Sequence, residues 1–137
     1  MFEIVSNGLN RMSTALTSPR DTVLIIDDDA AVLASLKFAL EVEGFAVEVF
    51  HSAEELLERP APPASSCLVV DFRLPAMDGV ELVSTLRGRG VTTPAILITT
   101  DPPQKVRLRA TEEGLAIVEK PLLGNTLAEA IRTALRA

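Results

Sequence analysis

The sequence predicts an α/β fold, a three-layer sandwich with helices on both faces of a parallel five-stranded sheet. Two observations carry the prediction. TVLII (22–26), CLVVD (67–71) and AILIT (95–99) are continuous apolar runs rich in branched residues, as strands buried on both faces require. Stretches with apolar residues at helical spacing alternate with them, joined by short connections, and strand–helix alternation of this kind gives a parallel sheet with right-handed crossovers.

Each element has its own local cause. After TVLII, the residues Val32, Leu33, Leu36, Ala39 and Leu40 form a helical stripe that Gly44 stops, glycine being the usual residue past a helix end. FAVEVF (45–50) alternates as a strand. Ser52 followed by Glu55 is a capping-box pattern for a short helix ended by Pro60, and PAPPASS (60–66) is a stiff loop. CLVVD is the third strand. Asp78 with Glu81 repeats the capping pattern, and Val80, Leu82, Val83 and Leu86 supply that helix with its apolar face. AILIT is the fourth strand. In residues 104–113, Val106, Leu108 and Ala110 alternate rather than follow a helical stripe, so a helix there is expected from the architecture alone. AIVEK (116–120) is the fifth strand, and Leu127, Ala130, Ile131, Ala134 and Leu135 mark a last helix. The result is a flavodoxin-like (βα)5 sandwich with sheet order 2-1-3-4-5, an order already described for doubly wound sheets.

Composition narrows the function. A chain of 137 residues, 47% hydrophobic and 23% charged, suits one domain with a real core. The net charge of -6 argues against direct nucleic-acid binding, which Lys and Arg lead. The single Cys67 lies in the run CLVV and is read as a small buried hydrophobe; one cysteine excludes an internal disulfide and fits a reducing, cytoplasmic setting. No run approaches the ~18 apolar residues of a membrane span. Residues 1–20 lack the pattern of a signal peptide and are expected to form a flexible N-terminal extension, with the domain proper at 21–137.

The polar residues fall at one place. Asp27 and Asp28 follow strand one, Asp71 ends strand three, Thr99 ends strand four and Lys120 ends strand five. In a parallel sheet these ends share an edge, and ligands bind there where the strand order reverses. Two like charges about 4 Å apart repel by roughly 4 kcal/mol at an effective dielectric near 20, so the cluster asks for a cation. Clustered hard oxygens suit Mg2+ or Mn2+. With the charge balanced, one carboxylate is free to attack phosphorus, and an aspartyl phosphate is an established kind of covalent intermediate. Lys120 and Thr99 would then stabilise phosphoryl oxygens. Asp29 stands apart as the N-cap of the first helix.

These residues resemble the receiver domain of bacterial two-component response regulators. The matching pieces are VLIIDDD, LVVDFRLPAMDGVEL, ILITT and VEKP, in order, over about residues 22–136. The resemblance implies that Asp71 is the phosphoacceptor and that Asp27 and Asp28 hold Mg2+ (or Mn2+) together with Asp71 and the backbone carbonyl of Arg73. It implies that Thr99 is the switch hydroxyl, that Lys120 binds phosphate, and that the Lys120–Pro121 bond is cis. Its implied partners are a sensor histidine kinase or phosphotransfer protein, a downstream protein or an output domain, and a second copy through the face of the fourth helix, fifth strand and fifth helix. No membrane is implied. On this view the chain accepts and loses a phosphoryl group rather than turning over a substrate, and it is either a stand-alone receiver or a piece of a longer regulator.

Two positions depart from the family. Ile117 stands where receivers carry Tyr or Phe, and no aromatic follows Phe72, so an aromatic rotamer switch is excluded. Thr100 replaces a very small residue. An alternative is therefore a non-phosphorylated pseudo-receiver that acts as a protein-binding module. A third possibility is a small phosphatase of the haloacid-dehalogenase type, suggested by Asp27 and Asp29 but leaving Asp71 without a role. Arg73 and Asp101, each two residues past a strand-end site residue, are expected to pair across the pocket mouth. Lys105, Arg107 and Arg109 would form a basic strip on the fourth helix, read as solvated or as a partner contact on equal terms. His51, the single histidine, is assigned to the surface, so a phosphohistidine donor must come from another protein.

Overall fold

The computed structural model describes residues 21–122 and 125–136; the N-terminal extension expected over residues 1–20 lies outside them. The elements run β1 Thr22–Ile26, α1 Ala30–Val42, β2 Ala46–Phe50, α2 Ala53–Glu58, β3 Ser66–Asp71, α3 Gly79–Gly88, β4 Ala95–Thr99, α4 Gln104–Glu112, β5 Ala116–Glu119 and α5 Thr126–Arg136. All five strands are parallel in the order β2-β1-β3-β4-β5, the predicted 2-1-3-4-5 arrangement. Among the described residues, no helix is long and apolar enough to cross a membrane.

Alternation along the strands divides the core in two. Leu24, Ile26, Leu68, Val70 and Leu97 point to the side covered by α2, α3 and α4. Val23, Ile25, Cys67, Val69, Ile96 and Ile98 point to the side covered by α1 and α5. β1, β3 and β4 are thus buried on both faces, which is why each reads as an unbroken apolar run. The edge strand β2 is only half-buried along most of its length, and its sequence alternates accordingly. Cys67 is fully buried and burial pushes its thiol up to about 12, leaving it unreactive.

Helix ends follow their signals with one exception. Gly44 takes φ 101° while its N–H reaches Glu41 and that of Phe45 reaches Leu40, the Schellman pattern. α3 opens with a complete capping box between Asp78 and Glu81. The box expected at α2 is altered: Ser52 accepts the Glu55 N–H, but the Glu55 carboxylate takes the N–H of His51 at 2.9 Å instead of that of Ser52. α4 is a helix, and the alternation seen in its sequence is superficial. Val106 and Ala110, four residues apart, are its buried pair, whereas Leu108 is 54% exposed.

Candidate functional site

Asp27 continues the β1 ladder through its N–H to the Phe50 carbonyl at 3.1 Å. Because Ile26 pairs with Val70, Asp27 stands level with Asp71 on the neighbouring strand. Its side chain is 2% exposed; Oδ1 accepts the Asp29 N–H at 2.9 Å, and Oδ2 is buried without a hydrogen-bond partner. Asp28 is exposed beside it. Carboxylate oxygens of Asp27, Asp28 and Asp71 all lie within 4.8 Å of one another.

Asp71 is 6% exposed. Its Oδ1 accepts from Lys120 Nζ at 3.2 Å, and the nearby backbone of Arg73 favours the charged carboxylate. Lys120 is delivered by its own N–H, which bonds the Thr99 carbonyl at 2.8 Å one step beyond β5; the Lys120–Pro121 bond is cis. Thr99 is buried and follows Ile98, the residue paired with Asp71. The structure therefore brings Asp27, Asp28, Asp71, Thr99 and Lys120 to one sheet edge, with Arg73 in the loop that leaves it.

Electrostatics agree with the geometry. Burial raises the carboxyl pKa of both Asp27 and Asp71 above the ordinary carboxylate value. The neighbouring acids push the same way, and Lys120 offsets part of the effect at each. One ammonium against three carboxylates leaves an excess of negative charge, and Asp27 Oδ2 lacks a donor. A hard divalent cation answers both deficits. The donor set fits such an ion.

Asp29 does not join the cluster. Its Oδ1 accepts from Ala31 N–H at 2.9 Å and Val32 N–H at 3.3 Å, capping α1. Two expectations are corrected. Arg73 and Asp101 form no ion pair among the described residues; both are exposed, and Asp101 adopts φ 42°. The basic strip of α4 is largely neutralised, since Arg107 pairs with Glu119 at 2.9 Å and Arg109 with Asp78 at 3.1 Å. Ile117 is half-buried and packs against the core on the α2–α3–α4 side.

Sequence reasoning missed two residues behind the site. Gly79 N–H bonds the Phe72 carbonyl at 2.8 Å, and any side chain at Gly79 would strike the Asp71 backbone. The signal was the glycine directly after a capping aspartate, where an ordinary helix former would serve. Ala76 adopts φ 71°, for which its residue type gives no signal.

The fold and this edge cluster define a class. The family model of the response regulator receiver domain matches residues 23–132, and the chain belongs to that family. It is 37% identical over 114 residues to the transcriptional regulatory protein FixJ of Rhizobium meliloti, a match covering 82% of this chain and 56% of that protein. It is 32% identical over 115 residues to the response regulator MprA of Mycobacterium tuberculosis, covering 83% and 50%. The chain thus spans about half the length of these curated relatives. Among solved structures, FixJ-N aligns with TM-score 0.78 at 36% identity, over 85% of this chain and 94% of that one. A CheY-like receiver domain from Methanospirillum hungatei aligns with TM-score 0.78 at 30% identity, over the same shares.

Proposed function

We propose that the chain is a phosphoacceptor switch in which Asp71 takes a phosphoryl group from the phosphohistidine of a sensor kinase or phosphotransfer protein. One observation carries this reading: three carboxylates within 4.8 Å, one of them with a buried oxygen lacking any donor, share an edge with an ammonium already on Asp71. Asp27, Asp28, Asp71 and the Arg73 carbonyl would hold Mg2+ or Mn2+, which when bound supplies charge neutralisation for phosphoryl oxygens.

The chain's own residues do the rest. A carboxylate oxygen of Asp71 forms the new P–O bond while the P–N bond to the donor imidazole breaks, the electron pair leaving with that nitrogen. Lys120 Nζ, at 3.2 Å from Asp71 Oδ1, compensates the charge that arrives. The Thr99 hydroxyl donates to a phosphoryl oxygen. Reversal of state is hydrolysis: water attacks phosphorus, the bond to Asp71 breaks, the carboxylate is regenerated and inorganic phosphate is released. The partners that fit this reading are a sensor histidine kinase or phosphotransfer protein on the input side, and on the output side another protein, an output domain or a second copy on the α4–β5–α5 face.

The pseudo-receiver reading draws on Ile117 and Thr100, which depart from the family pattern at the relay and at the pocket mouth. The phosphatase reading loses its second aspartate, because Asp29 is occupied with capping α1. Incubation with acetyl phosphate and Mg2+, followed by intact-mass measurement, discriminates among the three. The phosphoacceptor account expects one phosphoryl adduct that EDTA and Asp71→Asn abolish and Asp29→Ala leaves in place. No adduct with any donor supports the pseudo-receiver, and turnover of phosphate esters dependent on Asp29 supports the phosphatase.

A further inference from the structure

The loop that leaves Asp71, residues 72–78, is fastened along its length. At its start the Phe72 carbonyl accepts the Gly79 N–H at 2.8 Å, which ties the residue after Asp71 to the first residue of α3. In the middle, Met77 N–H reaches the Pro75 carbonyl at 2.7 Å around Ala76 at φ 71°, the rare and strained form of the three-residue turn. At the far end Asp78 has two tasks. Its Oδ1 accepts the Glu81 N–H at 2.8 Å as the cap of α3, and its two oxygens each accept from Arg109 at 3.1 Å.

Arg109 belongs to α4. Among the described residues, no other hydrogen bond or ion pair joins α4 to α3 or to this loop. An open groove of about 370 Å³, lined by Val80, Ser84, Thr85 and Glu112 among others, lies between the two helices. The buried faces of both helices share one apolar core, and the polar connection between them is therefore a single strut across the open side of the groove. Its fork-to-carboxylate form makes it directional, while partial exposure of both ends (39% and 24%) keeps it easily broken. The near end of the strut cannot move freely of the phosphoacceptor, because Gly79 is pressed against the Asp71 carbonyl.

We infer that Arg109 is a positioning residue that couples α4 to the phosphoacceptor loop through Asp78. The inference rests on the phosphoacceptor reading and names the route by which that site controls its output helix. A shift of Asp71 on phosphorylation, passed on through Phe72 and Gly79, must either carry Asp78 and α4 along or break the two bonds to Arg109. Either outcome changes α4, and neither needs an aromatic on β5, where Ile117 is half-buried against the core.

Hydrogen exchange of residues 104–113, with and without Mg2+ and beryllofluoride as the phosphoryl mimic, tests the inference. Arg109→Met removes the strut, Arg109→Lys keeps the charge without the fork, and Asp78→Asn weakens the pair while retaining a good N-cap. The expected result is a change in α4 exchange in the parent chain that falls at least threefold in Arg109→Met and Asp78→Asn and is partly restored in Arg109→Lys. Asp71 should still be phosphorylated by acetyl phosphate in every variant. An α4 response undiminished in Arg109→Met, or absent from a parent chain that does take the phosphoryl group, overturns the coupling alone. A parent chain that forms neither adduct nor beryllofluoride complex overturns the site reading and this inference with it.

Discussion

A Cβ on Gly79 would lie 2.6 Å from the main-chain carbonyl oxygen of Asp71, and 2.9 Å from side-chain carbons of Leu97 and Val70. Backbone cannot yield as a flexible side chain can, so the first residue of α3 must be glycine for the helix to sit against the end of β3. Gly79→Ala is expected to lower stability by about 1–3 kcal/mol, the usual cost of overpacking a filled core. It should also slow adduct formation at Asp71 by moving its backbone. Urea unfolding together with the acetyl phosphate time course measures both; parental values in each would refute the contact.

Burial raises the pKa of Asp27 above the ordinary carboxylate value, and Asp71 and Asp28 push it further. A raised folded-state pKa means a contribution to stability that is full below the unfolded value and lost as pH rises through the folded one. Metal-free protein at about pH 7 therefore carries Asp27 as a liability. Asp27→Asn should melt higher than the parent in EDTA near neutrality, and the advantage should shrink as pH falls toward about 4. Millimolar Mg2+ should reverse the order by raising the melting temperature of the parent more than that of the variant. A variant less stable than the parent in EDTA at pH 7 would contradict the carboxylate repulsion.

Ala76 holds φ 71° in the turn closed by Met77 and Pro75. An alanine in the left-handed region costs about 1–2 kcal/mol, part of which glycine forfeits through the entropy of the unfolded chain. Ala76→Gly is expected to gain about 0.5–1 kcal/mol, and Ala76→Val to lose stability. A urea midpoint that falls in Ala76→Gly, with unchanged slope, would show that the turn is not strained.

The side chain of Asp29 only caps α1, its backbone N–H being what reaches Asp27. Asp29→Ala should cost about 1 kcal/mol yet leave both the Mg2+-induced rise in melting temperature and the Asp71 adduct intact. Loss of the metal response in this variant would place Asp29 in the site.

The strands and the edge cluster were legible because their causes are local or topological. A strand buried on both faces must be apolar throughout, as Val23 to Ile26 and Cys67 to Val70 are, and polar residues that end such strands must meet at one edge. α4 was harder to read because it buries only Val106 and Ala110 and begins at Pro103 without a side-chain cap. Its clearest signal lay past its end, where Gly114 takes φ 73° and Leu115 N–H bonds the Ala110 carbonyl. The bridge from Arg109 to Asp78 joins residues distant in sequence on separate elements. Neither residue's neighbours point to the other, so a strip of basic residues was expected where an ion pair stands. The absence of a pair between Arg73 and Asp101 has the same origin: equal offsets from two strand ends do not fix where long side chains turn.

The central claim is that Asp71, and no other carboxylate of the cluster, carries the phosphoryl group. Borohydride reduces an acyl phosphate to the alcohol, turning the modified aspartate into homoserine. After treatment with acetyl phosphate and Mg2+, peptide sequencing should find homoserine at position 71 and unmodified aspartate at 27, 28 and 29. Homoserine at any of those three positions, or at none of the four, would contradict the account.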